Sequence, residues 1–116
     1  MNPRDKGEGW IGVDFNGVLA VYNGYQGDDH VGKPIEPMIK RVRKWLAEGR
    51  DVRIFTARKP HPAIRKFCRD NLGKILPITN TKDHNMQMLL DDRAVGVVRN
   101  TGELFSEDNM KQVTEE

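Results

Sequence analysis

The stretch Trp10-Ile-Gly-Val-Asp-Phe-Asn-Gly-Val-Leu-Ala20 constrains this chain more than any other part of it. A short apolar run delivers a carboxylate, Asp14, and then meets a glycine at Gly17. A buried strand fixes its last side chain, while a glycine turn exposes backbone N–H and C=O groups that can grip a phosphate or a metal. A hydrophobic strand followed by an ordinary turn containing Asp and Asn gives the same pattern. The choice between these depends on whether the rest of the chain supplies partners for Asp14.

A chain of 116 residues makes one domain with a real core, so any lid over a site must be a loop. The composition, 37% hydrophobic and 31% charged, fits a soluble globular protein and contains no apolar run long enough for a membrane span. Residues 1–9 are polar and read as a flexible leader, residues 10–105 as a single domain, and residues 106–116 as a polar tail. Cys68 is the only cysteine, which excludes an internal disulfide and agrees with a reducing cytoplasm. On a helix face it reads as core filler. A net charge of +2 does not by itself indicate nucleic-acid binding, although it would not repel an anionic substrate.

After Ala20, the segment from Val21 to Pro34 is rich in Gly, Asp and Asn and has no sustained period, so it is expected to be a loop or small hairpin. Tyr22, Tyr25 and His30 could form a flap over whatever binds beside Asp14, although exposed loop aromatics also arise without function. Apolar residues at helical spacing, Ile35, Met38, Ile39, Val42, Trp45 and Leu46, predict an amphipathic helix from Pro34 to Glu48. Its Lys40, Arg41, Arg43 and Lys44 read as a solvated face. Asp51 to Thr56 reads as a second strand, and a helix is expected from about Pro62 to Leu72 with Gly73 as its stop. Further strands are expected near Ile75 to Ile78, Met86 to Leu90 and Val95 to Val98.

Alternating strands and helices predict an α/β fold with a central parallel sheet, helices on both faces, and all carboxyl strand ends at one edge. Ligands bind at that edge. Asp14, Thr56, Lys82 and the Asp91–Asp92 pair all fall at or just after expected strand ends. Carboxylates beside a lysine and a hydroxyl suit a hard cation such as Mg²⁺ with a phosphate next to it. In such a site Asp14 can attack phosphorus and form an aspartyl-phosphate, while Thr56 and Lys82 bind the phosphoryl oxygens. Arg58 and Lys59 could face a second phosphate or an acidic partner.

The order Asp14-Phe-Asn-Gly-Val-Leu, Ile54-Phe-Thr56, Lys82 and Leu89-Leu-Asp-Asp92 resembles the four motifs of the haloacid dehalogenase (HAD) superfamily of phosphotransferases, over roughly Trp10 to Gly102. The resemblance implies a Rossmann-like three-layer fold with strand order 3-2-1-4-5 and a Mg²⁺-dependent phosphohydrolase. It implies Asp14 as nucleophile and metal ligand, the Asn16 backbone carbonyl as a further ligand, and Asp91 and Asp92 as the remaining metal residues. Thr56, Ala57, Arg58 and Lys82 then face the substrate. The short gap between the first two motifs resembles the capless subgroup. The Asp-Asp-Arg motif is also similar to the phosphatase domain of polynucleotide kinases, which implies a phosphorylated small molecule, a nucleotide or a nucleic-acid 3′ end as substrate.

One position departs from that pattern. Phosphatases of this superfamily usually carry a second Asp two residues after the nucleophile as general acid and base, and here that residue is Asn16. An amide cannot do this work at neutral pH, and the loss costs ~10²–10⁴ in rate, most of all with poor leaving groups. The sequence is compatible with a weakened phosphatase, a phosphate-binding relative without turnover, or an enzyme using His30 or His84 as base.

Overall fold

The computed structural model describes residues 7–105. Most of the expected leader, residues 1–6, and the whole expected tail, residues 106–116, lie outside the described residues. The elements in chain order are β1 (Trp10–Val13), α1 (Glu36–Ala47), β2 (Asp51–Phe55), α2 (Pro62–Leu72), β3 (Ile78–Thr79) and β4 (Met86–Leu90). The strands form one parallel sheet in the order β3-β2-β1-β4.

All four residues of β1 are buried, as expected for a central strand of a parallel sheet. Its register sets Val13 against Ile54 of β2 and against Leu90 of β4, so β1 and β4 end level and β2 runs one residue further. The next residues, Asp14 and Asp91, are therefore neighbours at the carboxyl edge, and the Asp14 N–H donates to the Leu90 carbonyl at 2.9 Å.

Both helices begin and end where their sequences provide for it. Helix α1 has a proline in its first turn, Glu36 at its positive end and Lys44 in its last turn. In α2, His61 caps the start by accepting the Ala63 N–H on Nδ1 at 3.0 Å, and Gly73 ends the helix in a left-handed conformation at φ 79°. Ile39 and Val42 of α1 and Ile64, Phe67, Cys68 and Leu72 of α2 join Ile11, Val13, Val52 and Ile54 in one hydrophobic cluster. Cys68 is thus core filler, with burial pushing its thiol up from its ordinary value. Lys40, Arg41, Arg43 and Lys44 are all exposed, as the solvated-face reading expects.

Two expectations about the sheet are corrected. Val95 to Val98 does not add a fifth strand, so the expected order stops at 3-2-1-4 among the described residues. Instead Val97 pairs antiparallel with Leu104 alone, closed by Val98 N–H to Glu103 O at 2.8 Å and Phe105 N–H to Gly96 O at 3.0 Å. Asn100 at φ 68° and Gly102 at φ 78° make the turn, which directs these backbone groups to each other instead of to β4. Nor do helices cover both faces among the described residues. Both helices build the cluster on one face; the other carries Trp10, Arg53, Phe55 and Leu89. The connection from β3 to β4 is only residues 80–85, too short for a crossover helix.

Strand β3 also starts later than expected. Leu76 is buried and the Pro77 carbonyl accepts from Ile54, but Pro77 has no N–H for a ladder, so pairing runs only through Ile78 and Thr79. No helix among the described residues is long and apolar enough to cross a membrane.

Candidate active site

The turn after β1 is rigid for reasons readable residue by residue. Phe15 is fully buried and meets Phe67 of α2 edge to face, with ring centroids 5.0 Å apart. Its carbonyl accepts the N–H groups of Leu19 and Ala20, both at 3.0 Å, and the Gly17 N–H donates to Ala20 O at 2.8 Å. Gly17 has φ 84°, and a Cβ there would lie 2.6 Å from Oδ2 of Asp92. A glycine is therefore required twice over, for the backbone and for the approach of a carboxylate.

That carboxylate belongs to a cluster. Oxygen atoms of Asp14, Asp91 and Asp92 lie within 4.8 Å of one another at the ends of β1 and β4. Asp14 Oδ1 accepts the Phe15 N–H at 2.8 Å, and Asp91 Oδ1 accepts the Arg93 N–H at 2.8 Å. Partial burial, together with the neighbouring Asp91 and Asp92, raises the Asp14 carboxyl from its ordinary value near 3.8 to about 6, against the lowering effect of the Phe15 N–H. Three carboxylates this close carry negative charge that their protein partners do not neutralise. An all-oxygen set of this kind fits a hard divalent cation.

Thr56 follows β2 at the same edge. It is 5% exposed, and its N–H donates to Thr79 O at 2.9 Å. Its hydroxyl oxygen accepts the Arg58 N–H at 3.1 Å, which leaves the hydroxyl hydrogen available to another acceptor.

Arg58 is the most connected polar side chain of the region. Its guanidinium donates to the Asp28 carbonyl at 2.7 Å, the His30 carbonyl at 3.0 Å and Asn16 Oδ1 at 3.3 Å, and it lies 5.8 Å from the Phe15 ring centroid. It thereby ties the flap to the turn after β1. The flap is pinned at its base by Val21 N–H to Lys33 O and Ile35 N–H to Leu19 O, both 2.8 Å, where Gly32 passes too close to the Val21 backbone to carry a side chain. Between flap and the 57–61 loop lies a cleft of about 560 Å³. Tyr22, Tyr25, His30, Arg58 and Lys59 line it, and Asn16 and Ala57 form part of its wall. The expected flap thus sits beside the Asp14 turn.

Lys82 and His84 are not brought into this arrangement. Both are exposed in the 80–85 connection, and Lys82 makes no hydrogen bond or ion pair with the carboxylates. The connection runs back from Thr79 toward the start of β1, where Asp83 accepts the Trp10 indole N–H at 2.8 Å and Asn85 O accepts the Trp10 N–H at 3.0 Å. Arg93 contributes its backbone N–H to Asp91. Two features escaped sequence reasoning. The Arg58 latch joins residues 28 to 42 positions apart, and His61 is the cap of α2. A histidine ahead of a proline at a helix start was the only available signal, and it concerned His61 alone.

No protein-family model and no curated protein matches the chain. Its fold is similar to that of a solved structure described as a conserved protein coded by locus from Bacteroides thetaiotaomicron. The TM-score is 0.58 at 18% identity, over 93% of this chain and 91% of the other. A likeness at that identity concerns the fold alone.

Proposed function

We propose that the chain is a Mg²⁺-dependent phosphomonoester hydrolase that forms an aspartyl-phosphate on Asp14. The observation that carries this reading is the Asp14–Asp91–Asp92 cluster, three carboxylates within 4.8 Å at the carboxyl ends of adjacent parallel strands. Asp14, Asp91, Asp92 and the Asn16 carbonyl would hold the cation, which would offset the carboxylate charge and admit a phosphoryl group beside it.

The chain's own residues supply the rest. Asp14 is held for attack by the β1–β4 ladder and by Phe15. The free hydroxyl hydrogen of Thr56 serves a phosphoryl oxygen. Ala57 and Arg58 border the path of the leaving group, and Lys82 is assigned to the phosphoryl oxygens by the motif order rather than by contact. Asn16 supplies hydrogen bonds but no proton, so turnover of ordinary esters is slow. A nucleotide or nucleic-acid 3′-phosphate remains the substrate class that the motif resemblance favours.

The rival reading is a non-catalytic module for phosphate or a phosphorylated partner, favoured by Asn16 at the acid–base position. p-Nitrophenyl phosphate turnover with and without Mg²⁺ separates the two. Activity that rises by orders of magnitude in Asn16→Asp and vanishes in Asp14→Asn supports the phosphatase. An inert Asn16→Asp protein that still binds Mg²⁺ by calorimetry supports the binding module.

A further inference from the structure

The phosphatase reading leaves open which phosphoryl donors the site handles well. We propose that the site takes phosphoanhydrides, passing the terminal phosphoryl group to Asp14 while the leaving phosphate departs as an anion into the cleft between the flap and the 57–61 loop. This inference rests on the phosphatase reading.

The first support is the fixed orientation of Asn16. A guanidinium has only donors, so the Asn16 atom facing Arg58 is its oxygen, and the amide N–H₂ is not used in that contact. Residue 16 can steady a leaving oxygen but cannot protonate it. An alkoxide leaving group is nearly as basic as hydroxide, whose parent water has a pKa of about 15.7, and it needs that proton. A nucleoside monophosphate leaving group, with a second pKa of about 6, departs without one at neutral pH, and so does the half of a singly protonated pyrophosphate that already carries the proton.

The second support is what surrounds the exit. Asn16 belongs to the cleft wall, so a group leaving past it enters the cleft directly. The cleft holds two cations, Arg58 and Lys59, against one carboxylate, Asp28, to which the Tyr25 hydroxyl already donates at 3.0 Å. The carboxylate cluster is uniformly negative, whereas the cleft beside it suits a departing anion. Tyr22 and Tyr25, both substantially exposed, offer ring faces to a planar group attached to that anion.

The chemistry balances without a general acid. A carboxylate oxygen of Asp14 bonds to the terminal phosphorus as the bridging P–O bond breaks, and the electron pair stays on the bridging oxygen, which leaves as phosphate. No proton moves in that step. Water then bonds to the phosphorus of the aspartyl-phosphate, the P–O bond to Asp14 breaks, the carboxylate is restored, and the water's proton ends on the released inorganic phosphate. With no base at position 16 the second step is the slower one, so the phosphoenzyme accumulates.

The test measures turnover and acid-quenched phosphoenzyme with Mg²⁺, using inorganic pyrophosphate, a nucleoside diphosphate, acetyl phosphate and glycerol phosphate. Pyrophosphate or the nucleoside diphosphate should exceed glycerol phosphate by ~10²-fold or more in kcat/KM, with a burst of phosphoenzyme. Asn16→Asp should raise glycerol phosphate turnover by ~10²–10⁴ and change the anhydrides only a few-fold. In Asp14→Asn protein, pyrophosphate binding by calorimetry should weaken about tenfold on adding Arg58→Ala and recover in part with Arg58→Lys. Equal rates for glycerol phosphate and pyrophosphate overturn the proposal, as does an Asn16→Asp gain that is the same for all substrates. Acetyl phosphate outpacing both anhydrides also overturns it, because a leaving carboxylate would then suffice. If neither this protein nor Asn16→Asp forms phosphoenzyme with any of the four, the phosphatase reading itself falls.

Discussion

Two regions at the same sheet edge differ in sign and in construction. The Asp14–Asp91–Asp92 cluster is negative and stands on strand ends, held by backbone ladders whose register is fixed by a buried core. The cleft beside it is walled by the 21–32 flap and the 57–61 loop, carries Arg58 and Lys59, and is held together chiefly by one side chain, Arg58. The contrast separates two tasks. Strand ends place the group that reacts, where small displacements are costly, and loops place the groups that choose the substrate. Asn16 belongs to both, reaching the cleft from the turn after β1.

The sharpest attack on that division is at Asp14. Asp14→Asn should abolish turnover, by roughly 10⁴-fold or more, while leaving the flap and the cleft folded as they are. If activity survives, the carboxylate cluster is not where the chemistry happens. Next in size is Asn16→Asp, expected to raise p-nitrophenyl or alkyl phosphate turnover by ~10²–10⁴. A smaller effect is expected in the cleft. Arg58→Ala frees two flap carbonyls and one amide oxygen, and should raise KM about tenfold with a lesser change in kcat, because it loosens the loop rather than the strand end. A fall confined to kcat would instead make Arg58 part of the reacting cluster. Lys82→Ala tests the one motif residue that no contact supports: the assigned role predicts roughly a tenfold loss in kcat/KM, and a change under about twofold removes it from the site.

The strand-borne half of this picture was legible in the sequence, and the loop-borne half was not. The apolar runs at Trp10–Val13 and Met86–Leu90 end in carboxylates, and parallel pairing with right-handed connections brings such ends together whatever the loops do. Gly17 and Gly73 were readable as turns because only their conformations fit. The 95–98 run failed as a strand because its backbone partners lie a few residues downstream, across a turn formed by Asn100 and Gly102, and apolar pattern alone does not distinguish a short hairpin from a sheet edge. Lys82 was placed by motif order, but position along the chain does not fix where a six-residue crossing carries a side chain. The Arg58 latch rests on backbone carbonyls, which every residue has, so no residue type marks its partners.

The smallest expected effect concerns stability, and it ties the negative region to its function. Asp14 titrates near 6 in the fold and near 3.8 in its ordinary state, so between those values the folded protein binds more protons than the unfolded one. Metal-free stability from this group is therefore greatest in acid and is lost as pH rises from about 4 through about 6. Asp14 is only partly buried, and solvent screening limits the loss to about 1 kcal/mol. Asp14→Asn cannot charge and should escape the loss, melting higher than the unmodified protein above about pH 6 in metal-free buffer, with the difference closing toward about pH 4. Mg²⁺ should raise the melting temperature of the unmodified protein more than that of the variant, since it offsets the same repulsion. If instead the unmodified protein melts higher at neutral pH without metal, the three carboxylates are stabilised by protein partners alone, and the reading of the cluster as a cation site loses its basis.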